Sequence, residues 1–146
     1  MKVVTGVAVL VSVVLVAAGV SAAHLQKSSS LRQRMATVAR RLAQSLDDSR
    51  PAKTARVYGP ASYRVALHAF SGGTTPNRRK GRFYVIVVRG RFVCAWCPRP
   101  PGAESPQGSI ATKLWSPTGH GDGFGLNRKL PGSLSLLGPP IRISLR

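Results

Sequence analysis

Phe83-Tyr84-Val85-Ile86-Val87-Val88 is the stretch on which the fold turns. Six aromatic or β-branched residues in succession are the composition of a buried strand, because such side chains fit a pleated surface packed on its neighbours. Gly90 follows and marks a bulge or turn before Phe92-Val93. Upstream, Ser71 to Arg82 is a polar, basic loop. Before it, Tyr63, Ala66, Leu67 and Phe70 recur at helical spacing, with Pro60 or Ala61 able to open the helix and Gly72-Gly73 able to close it. The competing pattern there is the strand alternation of Tyr63, Val65 and Leu67. Thr54 to Tyr58 reads as a short strand, with Gly59-Pro60 turning the chain after it.

Downstream, Pro98 to Gly108 carries four prolines and is neither helix nor central strand. Ile110 to Trp115 alternates as a strand, Pro117 to Gly123 is a turn, and Ile141-Arg142-Ile143 alternates again near the C-terminus. Leu31, Met35, Val38, Leu42 and Leu46 form an amphipathic stripe that ends before Pro51, with Ser28 to Ser30 as N-cap hydroxyls. Arg40, Gln33, Gln44 and Thr37 lie on its opposite face, flanked by Arg32 and Arg41. A stripe this regular packs on a sheet or serves as a stalk; the sharper reading lays the helix on an anionic membrane. Helices first and strands later predict an α+β domain: an amphipathic helix and a second short helix on a small antiparallel sheet. The expected division is residues 1–23 as signal or anchor, 24–53 as helix and linker, and 54–146 as a small basic domain.

The N-terminus sets the expected compartment. No charged residue occurs between Lys2 and Lys27, and Val3 to Ala23 is long enough as a helix to cross roughly 30 Å of hydrocarbon. Two readings stay open. Val20-Ser21-Ala22 presents small residues for cleavage of a signal peptide near Ala22, whereas the length of the run favours a retained single-pass anchor through residues 3–23. The positive-inside rule conflicts with export, since Lys27, Arg32, Arg34, Arg40 and Arg41 follow the run and only Lys2 precedes it. Export to the cell envelope is nonetheless the ordinary outcome of such a segment, and the cysteines suit an oxidising compartment.

Charge narrows the partner. The 146 residues carry 22 Lys and Arg against Asp47, Asp48, Glu104 and Asp122, a net charge of +18. Such a surface prefers anionic envelope polymers or lipid headgroups, and nucleic acid if the domain faces the cytoplasm. The densest basic patch is Arg78, Arg79, Lys80, Arg82, Arg89 and Arg91. Phe83, Tyr84 and Phe92 beside it belong to the strand pattern, so a solvated loop is the plainer reading.

Cys94-Ala95-Trp96-Cys97 admits thiol exchange, metal binding or a local disulfide. Thiol exchange needs a helix N-terminus to depress a cysteine pKa, and Pro98, Pro100 and Pro101 deny one. Zinc needs two further ligands, and His68 and His120 stand at spacings that match no finger. A structural disulfide between Cys94 and Cys97 is the expected state, with no metal and no cofactor. Gly119-His120-Gly121-Asp122-Gly123 matches neither a P-loop nor a dinucleotide fingerprint and reads as turn chemistry. His120 and Asp122 as acid and base lack a nucleophile motif, so no catalytic residues are assigned.

From Phe83 onward the chain resembles a group of small exported proteins of actinobacteria without an assigned function. The matching features are Gly90-Arg91-Phe92, the Pro101-Gly102 and Gly108 loop, the Ser116 to Gly119 turn, Phe124-Gly125-Leu126, and Leu137-Gly138-Pro139. The resemblance covers about 60 residues and implies extracytoplasmic placement and a small α+β domain; it supplies no site residues. The resulting expectation is a non-enzymatic envelope protein that presents a basic domain to an anionic polymer, lipid or protein. The alternatives are an extracytoplasmic thiol-disulfide oxidoreductase using Cys94 and Cys97, and a nucleic-acid binder of inverted orientation.

Overall fold

The computed structural model describes residues 30–46, 52–73, 79–119 and 123–145. The apolar run 3–23 with its cleavage position, together with Arg78, His120 and Asp122, lies outside the described residues. Among the described residues, no helix is long and apolar enough to cross a membrane. The chain divides into two compact units, residues 1–33 and 34–146, and the sheet belongs entirely to the second.

Helix α1 occupies residues 30–44. β1 (Thr54–Ala61), α2 (Tyr63–Ser71), β2 (Phe83–Val93), β3 (Gln107–Trp115), β4 (Gly123–Asn127), a 3-10 helix (Gly132–Leu137) and β5 (Ile141–Ser144) come after it. The strands form one sheet in the order β4-β3-β2-β1-β5, with every pairing antiparallel. The α+β class and the antiparallel sheet are therefore as the sequence predicts.

β2 is the middle strand, and Phe83 to Val88 are all buried because the sheet is covered on both faces. Phe83, Val85 and Val87 share one face with Ile110 and Leu114, packing against Ala66 and Ala69 of α2 and Leu134 and Leu137 of the 3-10 helix. The Tyr63 and Phe83 rings meet edge to face, 5.0 Å between centroids. The opposite face holds Tyr84, Ile86 and Val88 with their register partners Trp115, Lys113 and Ala111. Residues 34–44 of α1 lie over that side: Met35, Ala39, Leu42 and Ala43 are buried, as is Leu46 just past the helix end, while Thr37, Arg40 and Gln44 are exposed. Of the leucine stripe, Met35, Leu42 and Leu46 are thus core, while Leu31 and Val38 are partly buried.

β4 is a strand that no sequence pattern announces, and three further elements differ from the sequence reading. Gly59-Pro60 does not turn the chain: β1 continues through both to Ala61, which pairs with Phe83 across a register shift after Tyr58. Gly59 has φ 107°, and a Cβ there would stand 2.8 Å from the Phe83 carbonyl oxygen, so the strand can bulge at this point only with glycine. Helix α2 accordingly opens at Tyr63, after Ser62, and closes on left-handed Gly72, whose N–H donates to the His68 carbonyl at 2.8 Å. The third difference is the 3-10 helix, whose Leu134 and Leu137 complete a core that no periodic pattern announces.

Candidate functional site

The Cys94–Cys97 segment is built from the end of β2. Cys94 donates its N–H to the Pro106 carbonyl at 2.9 Å, which ties the start of the proline loop to its end, and the Cys97 N–H reaches the Cys94 carbonyl at 3.4 Å. The two Sγ atoms stand at disulfide distance, 2.01 Å, and Cys94 is fully buried. Residues 95–97 form a turn and no helix comes after it, in keeping with the prolines. A short cross-linked turn beside a strand end has one evident result: it fixes the position of Trp96.

Trp96 is 57% exposed, yet it is held at both edges. Its indole N–H donates to the Ser45 carbonyl, 2.9 Å away just past the end of α1, and its ring lies 5.2 Å from that of Phe124 on β4. Between these anchors opens a groove of ≈ 440 Å³, walled by Val38, Arg41 and Leu42 of α1 and by Lys113 and Trp115 of β3. Lys113 and Phe124 are register partners, so cation and aromatic ring stand side by side on one face of the sheet. The Arg34 guanidinium sits 5.7 Å from the Trp115 ring centroid and donates to the Pro117 carbonyl, holding the Trp115 side chain by a cation–π contact. Among the described residues, neither the Arg41 guanidinium nor the Lys113 ammonium has a hydrogen-bond or ion-pair partner.

Two cations beside an apolar, aromatic wall can hold a ligand that has both a flat apolar face and negative charge. Proton transfer is harder to support with these side chains. Glu104, exposed in the proline loop, is the one acidic side chain among the described residues, and these residues contain no group of three metal-ligating side chains.

Among the described residues, the basic patch read from the sequence is divided between the two ends of β2. Arg79, Lys80 and Arg82 precede β2 and are exposed, whereas Arg89 and Arg91 stand near its other end. At about 3.3 Å per residue the strand separates the two groups by roughly 20 Å. On β1, Arg56 faces Val87 of β2 on one side and directly opposes Arg142 of β5 on the other. The sequence named Cys94 and Cys97 but not what they position. Trp96 lay in view between them, and Lys113 and Trp115 share a face by period two; what joins them to Arg41 is contact between segments more than 50 residues apart, which no local spacing encodes.

No protein-family model, curated protein or solved structure matches this chain.

Proposed function

We propose that the chain is a non-enzymatic cell-envelope protein, of the kind represented by the small exported actinobacterial proteins it resembles. In this reading its basic α+β domain stands outside the cytoplasmic membrane and binds an anionic polysaccharide in the groove beside Trp96. The observation that carries it is the pairing of Arg41 and Lys113 with the rings of Trp96 and Phe124 around one opening. A sugar ring offers an apolar C–H face to the indole, and its acidic substituents meet the two cations. The apolar run Val3 to Ala23 supports the envelope location.

A thiol oxidoreductase needs an accessible attacking sulfur, and full burial of Cys94 together with the lack of a helix after the turn argues against it. Calorimetric titration of the full-length chain with an acidic and a neutral polysaccharide of equal length tests the proposal. Saturable binding of the acidic polymer alone, weakened by Trp96→Ala, is expected. Equal binding of both polymers, or stronger binding of single-stranded DNA than of the acidic polysaccharide, contradicts it.

A further inference from the structure

At the opposite end of β3 from Trp115 lies a second opening, and its residues are not those of the groove. β2 pairs with β3 as Arg89 with Ile110 and, beyond a register shift, as Phe92 with Gly108. Gly90 and Arg91 therefore both stand opposite Ser109, the two-against-one arrangement of a β-bulge, which re-aims side chains and leaves ladder positions unpaired. Beside the bulge is a pocket of ≈ 680 Å³ lined by Arg91, Gln107, Gly108, Ser109 and Arg128 as well as Phe92 and Val93.

Arg128 comes from a different part of the chain, just past the end of β4, and is kept at the rim because the Ser109 hydroxyl donates to its carbonyl at 3.1 Å. The close approach of this segment is set by Gly108, where a Cβ would lie 2.8 Å from both the Asn127 carbonyl oxygen and Leu126 Cγ. Neither the Arg91 nor the Arg128 guanidinium has a hydrogen-bond or ion-pair partner among the described residues, and Glu104 does not line the pocket.

We infer that the pocket at the β2 bulge is a binding site for a phosphate group, separate from the groove. Two guanidinium forks, one on β2 and one just past β4, line one opening with the Gln107 carboxamide and present donors from separate segments. A tetrahedral phosphate offers three or more acceptor oxygens to such a set, whereas a carboxylate offers two in one plane and satisfies a single fork. The group can belong to free phosphate or to a phosphodiester polymer, whose two charged oxygens and two weaker ester acceptors share one tetrahedral phosphorus.

The test is titration of the full-length chain, in a non-ionic polyoxyethylene detergent, with inorganic phosphate, a glycerol-phosphate oligomer and acetate at matched ionic strength. The readouts are calorimetry and the NMR signals of the arginine Nε–H groups. Saturable shifts of the Arg91 and Arg128 signals with phosphate but not acetate are expected. Arg128→Gln should weaken binding about tenfold, and Arg91→Lys, which keeps the charge and removes the fork, should weaken it as well. Arg41→Gln in the groove should leave phosphate affinity unchanged, so failure of the polysaccharide reading and failure of this one are distinguishable. Tighter binding of the oligomer identifies a polymer as the source and equal binding identifies free phosphate; either supports the site. Uniform, non-saturating shifts of all arginines, or an Arg128→Gln variant that folds and binds phosphate like the parent, would overturn it.

Discussion

Trp96 shows how a residue of modest sequence prominence acquires a role. The disulfide beside it closes a loop of only four residues, and by chain entropy such a loop contributes roughly 2 kcal/mol. Replacing Cys94 and Cys97 together by serine should therefore lower the unfolding free energy by no more than about 2 kcal/mol, with the fold retained in far-ultraviolet circular dichroism. The larger effect should fall on the indole N–H resonance of Trp96, which will move as its anchor on Ser45 loosens. Arg56 offers a second test at this scale. It stands directly opposite Arg142, and like charges so placed destabilise a sheet. Arg56→Glu should raise stability by about 0.2–1 kcal/mol in urea denaturation, an increase that high salt diminishes. Neither feature was readable from the sequence. Spacing displays the cysteine pair and the arginines, but which residue faces which is decided by contacts between distant segments, such as the register that sets Arg56 against Arg142.

Among the elements, the sequence was legible wherever burial is periodic. The β2 run and the α1 stripe record in their composition how many faces are covered; β3 and β5 are strands as their alternation reads, although Ile110, Ala111, Thr112 and Leu114 are buried on both faces and Ile141 is exposed. Legibility failed where backbone conformation rather than side-chain burial decides: Gly59-Pro60 has the composition of a turn, yet neighbouring strands hold it as a bulge in β1. It failed also in the 3-10 helix, where Leu134 and Leu137 lie in a glycine-, serine- and proline-rich stretch too short to show a period. Two element-scale variants test these points. Gly59→Ala forces a side chain onto a positive φ and against the Phe83 carbonyl, and should cost about 1–3 kcal/mol in urea denaturation. Leu46→Ala removes a fully buried side chain just past the end of α1 and should cost about 2–5 kcal/mol in the same assay. A loss below about 0.5 kcal/mol, typical of a surface site, would mean that α1 is a stalk instead.

For the whole molecule, a net charge of +18 means that any polyanion will be attracted, so attraction by itself is uninformative. A specific site requires more: a groove in which ring stacking and two cations act together. Salt dependence separates the two contributions, because counterion release scales with the cations engaged while aromatic packing does not. The decisive measurement is the affinity of the full-length chain for an acidic oligosaccharide across a range of salt concentrations, for the parent, Trp96→Ala and Arg41→Gln. If the groove is the site, Trp96→Ala lowers affinity about tenfold at every salt concentration with the slope unchanged, while Arg41→Gln flattens the slope by up to about one. Superimposable curves for the parent and Trp96→Ala would contradict the groove and leave a diffuse basic surface in its place.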